Sequence, residues 1–390
     1  MGESKQTTES YRMIAKTFAG LEDVLAKELT DLGAQGVNKL NRAVEFMGDK
    51  AMMYKANYFL RTALCVLKPI AEFDASDEDT FYKEIGRINW NRYMKVDETL
   101  SITATTYSSV FKHSKYVALK AKDAIVDQFR RRVGKRPDVS TGNPDLRIEI
   151  HIAQKHVTVL LNSSGEPLYK RGYRQASVKA PINEVLAAGM ILLSGWDCKS
   201  DFLDPMCGSG TILIEAAMMA YGIAPGTYRS LFAFEKWSDF DADLFAEITE
   251  EAIEVPEFKY TISGSDISPI AVKATESNIK AAFLGKKISV ARHNFFDLRS
   301  QHATGTIVTN PPYGERLQPD DLRIFYQKIG DKLKLDFTGY DAWLIGSNVD
   351  CMKYIGLHPE QKIKLYNGQL ECSFRKFSLY DGSKKDQYME

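Results

Sequence analysis

Hydrophobic residues recur along the chain with two periods, one typical of helices and one typical of strands. Leu21, Leu25 and Leu29 follow the helical period, and Gly33 ends that segment. Across the first 165 residues, short helical segments alternate with segments rich in β-branched and aromatic residues. Short alternating units of this kind favour an α+β architecture. We therefore predict two small sheet-and-helix modules here, rather than one large sheet.

The second half of the chain has longer elements. Between residues 163 and 178 the pattern breaks into Gly, Pro, Ser and basic residues, which predicts a domain boundary. Strand and helix segments then alternate as in a βαβ series, which predicts a largely parallel sheet. Asn367-Gly368 lies between two alternating segments and predicts a closing β-hairpin. The pattern therefore predicts an α/β domain that is preceded by α+β modules.

The composition is that of a soluble globular protein with two or three domains. The chain has 390 residues, of which 44% are hydrophobic and 26% charged. It has neither an apolar segment of about 18 residues nor an apolar secretory signal at its start. Its five cysteines are scattered without a CxxC pair, so neither a zinc site nor a disulfide framework is expected. These features predict a protein of the reducing cytoplasm that needs no metal.

The net charge is zero, but the charges are unevenly distributed. Residues 1–180 carry 29 Lys and Arg against 22 Asp and Glu, a difference of +7. The segment 112–136 alone carries nine basic residues and two acids, with His113, Tyr116 and Phe129 among them. A solvated helix face would explain this segment, and a nucleic-acid surface is the competing interpretation. The candidate nucleic-acid-binding residues are Lys112, Lys115, Arg130, Arg131, Arg132, Lys135 and Arg136.

The segment DFLDPMCGSGTILIEAA predicts a strand, a glycine-rich turn and the start of a helix. Gly208 and Gly210 allow a bound molecule to approach the backbone closely, and the helix N-terminus offers N–H groups. A dinucleotide site is the alternative, but the spacing is not GxGxxG. Asp204 before the glycines would also repel a pyrophosphate, whereas it suits a cationic amino or sulfonium group.

Two further acids end the next two predicted strands. Asp266 is placed to accept the hydroxyl groups of a ribose, as in nucleotide-binding α/β folds. Asp297 follows in HNFFDL and could accept from an adenine amino group, with Phe295 or Phe296 against the ring. Each acid alone is more often a helix cap or turn residue. Together they fall at the carboxyl ends of successive strands, where open α/β sheets bind ligands.

The fourth strand of the series ends in Asn310-Pro311-Pro312-Tyr313. Prolines cannot donate to a sheet, and they fix the backbone. The Asn310 side chain and the Pro311 carbonyl could accept both hydrogens of a planar exocyclic NH₂ group, and Tyr313 could stack on its base. We predict that this segment presents an amine to an electrophile, with the prolines holding the acceptors in place.

In this order, the motifs DPMCGSGT, SDIS, NFFDL and NPPYGERL resemble those of Rossmann-like S-adenosylmethionine-dependent amino-methyltransferases. FAGLEDVLAKEL and SSGEPLYKRGYR resemble segments of the THUMP-containing branch, especially the bacterial 23S rRNA guanine-N2 methyltransferases. This resemblance covers essentially the whole chain. It implies a ferredoxin-like module at 1–60, a THUMP RNA-binding module at 61–165 and a seven-stranded methyltransferase domain at 166–390.

The resemblance also implies individual residue roles. It implies catalysis at Asn310 to Tyr313, and a cofactor cap at Lys179 to Glu184. S-adenosylmethionine would be the methyl donor, with S-adenosylhomocysteine as product. The cofactor-binding residues that it implies are Asp204, Cys207, Gly208, Gly210, Thr211, Asp266, Ile267, Asp297 and Asn310.

The expected function is methylation of guanine N2 in structured RNA, with 23S rRNA or a ribosomal precursor as the expected substrate. An N6-adenine methyltransferase and a tRNA guanine-N2 methyltransferase are alternatives, because NPPY serves several amines. A non-catalytic RNA-binding assembly factor is a further alternative. Cys207 and Cys372 are expected to be packing residues rather than nucleophiles. Some relatives carry a second methyltransferase domain, which this sequence does not show, so no dual activity is expected.

Overall fold

A computed structural model describes residues 9–178, 181–251, 254–300, 302–312 and 319–380. The chain divides into two compact units. The first contains the described residues up to Thr17, together with Ala26–Leu168 and Arg229–Glu251. The second contains Phe18–Leu25, Tyr169–Tyr228 and the described residues after 251.

The strands and helices of both units, numbered along the chain, are as follows. The strands are β1 (Tyr11–Lys16), β2 (Gln35–Leu40), β3 (Ala43–Gly48), β4 (Cys65–Asp74), β5 (Thr99–Tyr107), β6 (Asp138–Val139), β7 (Leu146–Ala153), β8 (His156–Asn162), β9 (Asp201–Asp204), β10 (Ile262–Asp266), β11 (Ser289–Arg292), β12 (Gly305–Thr309), β13 (Tyr340–Gly346), β14 (Gln361–Asn367) and β15 (Leu370–Ser378). The helices are α1 (Glu22–Asp31), α2 (Lys50–Phe59), α3 (Glu78–Arg87), α4 (Ser114–Val133), α5 (Glu184–Ser194), α6 (Thr211–Ala220), α7 (Ala242–Glu250), α8 (Pro269–Ala281) and α9 (Pro319–Asp336).

The first unit contains one sheet in which the strand order is β2-β3-β1-β4-β8-β7-β5-β6. Both predicted modules contribute to it, so the prediction of two separate sheets was wrong. The reason is the length of β4, which has 10 residues. Its start pairs with β1 and the rest pairs with β8. Pro69, which has no N–H to donate, lies where this second pairing shifts register.

The segment Arg229–Glu251 belongs to the first unit, although it interrupts the second along the chain. Its aromatic side chains pack on helix α2. The ring of Phe234 stacks on that of Tyr54 with 4.4 Å between centroids, and Phe245 meets Tyr54 edge-on. The Tyr54 hydroxyl also accepts a hydrogen bond of 3.0 Å from the Asp241 amide. This aromatic cluster explains why the segment joins the first unit.

The second unit contains a seven-stranded sheet with the order β11-β10-β9-β12-β13-β15-β14. The five strands from β11 to β13 are parallel, while β15 is antiparallel to both β13 and β14. This arrangement confirms the predicted seven-stranded domain with its closing hairpin. Helix α6 packs so close to β10 that a Cβ atom at Gly264 would lie 2.3 Å from Leu213. The carboxyl ends of the parallel strands all face one edge of the sheet.

Candidate active site

Four neighbouring strand ends bring the predicted site residues to one edge of the second sheet. Asp204 is the last residue of β9, and Asp266 is the last residue of β10. Asp297 ends a short 3₁₀ turn after β11, and Asn310 directly follows β12. Because the sheet order is β11-β10-β9-β12, the residues follow one another across the sheet as Asp297, Asp266, Asp204 and Asn310.

The glycine-rich turn lies between β9 and α6. Gly210 has a left-handed backbone with φ of 79°, and a Cβ atom there would lie 2.5 Å from the Thr275 side chain. Glycine is therefore required at this position. The Thr275 hydroxyl donates to the Gly208 carbonyl oxygen at 2.9 Å, so helix α8 holds the turn in place. Thr211, the first residue of α6, follows directly.

Asp204 is almost completely buried, with 1% of its surface exposed. Its Oδ1 atom accepts a 2.7 Å hydrogen bond from the Thr309 hydroxyl and a longer one from the Met206 amide. Burial raises the pKa of this carboxyl to about 7, although both hydrogen bonds act in the opposite direction. A cationic neighbour would stabilise the ionised form of Asp204, because the positive charge offsets the cost of burying the carboxylate.

Asp266 connects the glycine-rich turn to the following helix. One of its oxygens accepts from the Gly208 amide at 3.0 Å, and the other accepts from the Ser268 amide at 2.9 Å. A carboxylate offers about four acceptor positions, so a partly exposed Asp266 can accept further hydroxyl groups. Ile267 and Asp297 beyond it are exposed. Phe295 is buried in the core, so only Phe296 of the two predicted ring partners stays partly exposed.

The side-chain oxygen of Asn310 is a buried hydrogen-bond acceptor that has no donor among the described residues. Its Oδ1 atom is shielded from solvent and makes no hydrogen bond within the part of the chain that the structure describes. Buried side-chain oxygens in this state are uncommon, and each calls for a partner. Pro311 is buried and Pro312 is partly exposed. Tyr313 lies outside the described residues, so its predicted stacking role stays a prediction.

Three family models match successive parts of the chain. A model of the RlmL ferredoxin-like domain matches residues 12–67, and a THUMP domain model matches residues 75–162. The model described as RMKL-like, methyltransferase domain matches residues 171–376, which is more than half of the chain. The chain belongs to the RMKL-like methyltransferase family. The predicted THUMP-containing, S-adenosylmethionine-dependent methyltransferase family is thereby confirmed.

Relatives of this methyltransferase include a protein of Synechocystis sp. named "Putative RNA methyltransferase slr0064". The two are 38% identical over 96% of this chain and 98% of that protein. The ribosomal RNA large subunit methyltransferase K/L of Syntrophotalea carbinolica is 37% identical over 94% of this chain. The chain spans only 53% of that second protein.

Solved structures share the fold of the methyltransferase along nearly its whole length. The crystal structure of SMU.472 complexed with SAH superposes with a TM-score of 0.85 and 29% identity, covering 97% of this chain and all of that one. The crystal structure of a possible methylase from Clostridium difficile 630 gives a TM-score of 0.86 and 31% identity, covering 96% of this chain and all of that one.

The strand-end residues of this methyltransferase fit an S-adenosyl ligand. The glycine-rich turn has no side chain at Gly208 or Gly210 that would obstruct a close approach. The buried Asp204 carboxylate suits a cationic group, and Asp266 retains acceptor capacity for ribose hydroxyls. Burial raises the pKa of both the Cys207 and the Cys372 thiols, which opposes thiolate formation, as expected for packing residues.

The sequence did not identify Arg174 as a residue of this site. Its guanidinium group donates to the Glu184 carboxylate at 2.7 Å and to the Thr211 hydroxyl at 2.9 Å. It also reaches the Ser209 hydroxyl at 3.2 Å. Arg174 therefore connects the segment before α5 to the glycine-rich turn. Lys179 and Ala180 of the predicted cofactor cap lie outside the described residues.

Asn278 is a second residue that the sequence did not identify. It lies on the buried face of α8 and is 1% exposed. Its oxygen accepts from the amides of Gln175 and Ala176, and its NH₂ group donates to the carbonyls of Ala176 and Ser209. These bonds use the full capacity of an asparagine side chain. An asparagine on the apolar face of a helix was the signal that could have identified it.

The basic segment forms helix α4, whose apolar face is buried. All seven candidate nucleic-acid-binding residues are exposed, as predicted for either interpretation. Phe129 is in the core, so it cannot stack on a base. The cavity of about 580 Å³ beside α4 is lined by acids as well as by Lys120, Arg130 and Arg136. Basic residues at the C-terminal end of the helix therefore lie among acids, and Arg130 pairs with Asp127 at 3.3 Å.

Proposed function

We propose that this methyltransferase transfers a methyl group from S-adenosylmethionine to the exocyclic N2 atom of a guanine in RNA, with large-subunit ribosomal RNA as the substrate. The observation that carries the proposal is the buried Oδ1 atom of Asn310, which has no donor among the described residues. An exocyclic NH₂ group supplies such a donor. The two relatives named as RNA or ribosomal RNA methyltransferases support the choice of RNA.

The order of the strand ends matches the order of the groups to be held. Asp297 and Ile267 would contact the adenine, Asp266 the ribose, and Asp204 with the glycine-rich turn the cationic methionine part. Cys207 would contribute its backbone at that turn, and Thr211 the first N–H of α6. When bound, S-adenosylmethionine supplies an electrophilic methyl group. Asn310 adjoins Asp204 across the sheet, so the proposed amine acceptor would lie beside this end of the donor site.

Asn310 and Pro311 would orient the amine. The lone pair of guanine N2 is delocalised into the ring, so the nitrogen is a poor nucleophile. Two acceptors, the Asn310 Oδ1 atom and the Pro311 carbonyl, would each bind one N–H and favour a tetrahedral, positively charged nitrogen. Pro311 and Pro312 restrict the backbone and keep these acceptors in place. Tyr313 would stack on the base after it has turned out of the RNA stack.

RNA recognition would fall to the N-terminal modules. We propose the three-part division at residues 60/61 and 165/166. The successive matches at 12–67, 75–162 and 171–376 support a division into three parts, and the first of them extends past residue 60. The exposed basic residues at the end of α4 would contact phosphates. A ribosomal RNA substrate would place the protein in the cytoplasm. No helix in the described part of the chain is both long and apolar enough to cross a membrane.

Mass spectrometry of RNA nucleosides tests the base and the RNA together. A deletion strain should lack one N2-methylguanosine in its large-subunit rRNA, and the complete chain should restore it. Loss of N6-methyladenosine, or of a tRNA modification, would instead support one of the alternatives. An unchanged modification profile would favour a non-catalytic assembly factor.

Single-turnover methylation tests the role of Asn310. Asn310→Ala should lower the rate by about 10²–10³, because one preorganised acceptor is lost. The matched control is Asn348→Ala, because Asn348 follows the neighbouring strand β13 and already accepts from the Cys351 amide. Turnover close to the wild-type rate in Asn310→Ala would mean that another residue presents the amine.

A further inference from the structure

Phe283 lies just beyond the C-terminus of α8, and 83% of its surface is exposed. Its backbone is left-handed, with φ of 54°. Bulky residues rarely adopt this conformation, because the Cβ atom then crowds the backbone. The Tyr228 ring lies nearby, with 6.3 Å between centroids, but a ring this exposed gains little from burial, so packing offsets little of the strain. Strain of this kind is often retained where a residue has a function.

The strain at Phe283 comes from the way in which α8 ends. The Phe283 amide donates to the Lys280 carbonyl, and the Leu284 amide donates to the Ile279 carbonyl, each at 3.0 Å. This is the Schellman pattern, in which glycine usually occupies the left-handed position. The Tyr228 hydroxyl also donates to the Ala282 carbonyl at 2.6 Å and so fixes the end of the helix. The ring of Phe283 is therefore held outward by a well-defined turn.

Basic side chains surround this ring. Lys280, Lys286 and Lys287 line the same surface cavity of about 630 Å³ as Phe283, and Glu276 is the acid among its lining residues. Lys287 lies over the Tyr221 ring, with 3.7 Å from Nζ to the centroid. Lys280 and Lys286 are exposed and make no ion pair within the described part of the chain. Positive charges beside an exposed aromatic ring match a phosphate beside a base.

This surface is separate from the candidate active site. Helix α8 begins at Pro269, three residues after Asp266, and Phe283 follows its other end. The 13 residues of the helix span about 20 Å at 1.5 Å for each residue. A molecule bound at Phe283 thus does not compete with a ligand at the strand ends, and a long RNA could contact both.

We propose that Phe283 and the surrounding lysines form a second RNA-binding site, which takes an unpaired nucleotide of the substrate RNA. The base would stack on the Phe283 ring, and Lys280 and Lys286 would contact the adjoining phosphates. The site would hold a single-stranded part of the RNA while the target base enters the active site. This inference rests on the proposed RNA substrate, but it does not depend on which base is methylated.

Variants at Phe283 distinguish a role in RNA binding from a purely structural role. Phe283→Gly should raise the melting temperature of the complete chain, because glycine tolerates the left-handed conformation. The same change should weaken binding of a fluorescein-labelled oligouridylate roughly 5- to 100-fold, as for the loss of one stacking partner. Phe283→Trp should restore the affinity. The control is Leu335→Gly, since Leu335 is an apolar residue of α9 with 80% exposure. Unchanged RNA affinity in Phe283→Gly would overturn the proposal.

Photo-crosslinking identifies the partner. A benzoylphenylalanine at position 283 of the complete chain should crosslink to RNA in a cell extract, and one at position 335 should not. Crosslinks from position 283 to protein alone would overturn the proposal and indicate a protein-binding surface. Oligouridylate contains no guanine, and crosslinking requires no methyl transfer, so a failure of the proposed guanine-N2 chemistry would leave both results unchanged. Loss of turnover in Asn310→Ala with no effect at Phe283 would support the catalytic proposal alone.

Discussion

Asp204 and Thr309 connect the proposed donor site to strand β12, which Asn310 directly follows. The Thr309 hydroxyl donates to the Asp204 carboxylate, and Asn310 is the next residue along the chain. A change in the charge of Asp204 therefore acts on a group one residue from the proposed amine acceptor. Thr309 is also buried, so this bond is shielded from water.

The raised pKa of Asp204 predicts a pH-dependent donor affinity. Binding of S-adenosylmethionine should strengthen as the pH rises through about 7, because the ionised carboxylate attracts the cationic ligand. Below that pH, binding should release a proton. Calorimetry in buffers with different ionisation enthalpies measures both effects. Asp204→Asn is the control variant, and an identical pH dependence in that variant would contradict the assignment.

The same group affects folding stability with a defined sign. An unfolded Asp204 titrates near 3.8, whereas burial raises its pKa to about 7 in the folded protein. Between these values the folded state binds the extra proton. Its contribution to the free energy of unfolding is therefore fully present below pH 3.8 and is lost as the pH rises through about 7.

At the scale of elements, Asn278 predicts how α8 supports the donor site. Asn278→Ala should lower the free energy of unfolding by about 3 kcal/mol, because several buried backbone groups lose their partners. Donor affinity should fall as well, since the Ser209 carbonyl in the glycine-rich turn is one of those groups. Chemical denaturation and calorimetry measure the two effects. Ser277→Ala, at the exposed neighbouring position, should change neither.

Local sequence patterns predicted the elements that bury an apolar face or end in a distinctive motif. The hydrophobic pattern does not predict strand β2, because five of its six residues are exposed and it shows no alternation. Nor does it predict helix α7, for a different reason. Its segment packs on Tyr54, almost 200 positions earlier, and only tertiary structure reveals that contact.

The sequence also predicted part of the candidate site, but not all of it. Asp204 and Asp266 end predicted strands and Asn310 follows another, so their common location at one sheet edge follows from the βαβ pattern. The roles of Arg174 and Asn278 depend on partners in distant segments, such as Ser209. A single sequence does not specify such pairings.

At the scale of the whole molecule, the charge difference between the two halves predicts the salt dependence of RNA binding. Replacing Arg130, Arg131 and Arg132 with glutamine should weaken RNA binding and reduce the slope of log K against log salt by about 2–3. Donor affinity should not change. Filter binding over a range of salt concentrations measures the slope. The control replaces three exposed lysines elsewhere: Lys199, Lys259 and Lys353. Equal slopes for the wild type and the arginine variant would mean that this face of α4 is solvated and does not bind RNA.

Strand β4 predicts how the first unit tolerates truncation. A fragment of residues 61–165 keeps β4 against β8, whereas a fragment of residues 75–165 removes it and leaves β8 as an edge strand. An unprotected edge strand pairs readily with other chains. We expect the shorter fragment to aggregate and the longer one to stay monomeric, as measured by light scattering. Two monomeric fragments would show that β4 does not protect that edge.

Sharing β4 has a consequence for how this architecture could have changed during evolution. The matched THUMP segment begins at residue 75, immediately after β4 ends at Asp74. The strand that covers its sheet edge thus lies in the preceding segment, and it also pairs with β1 of the ferredoxin-like module. A recombination event at residue 74 would separate the THUMP module from the strand that covers its sheet edge. Exchange of the THUMP module on its own would therefore need a break before β4, so that the strand stays with the sheet edge that it covers.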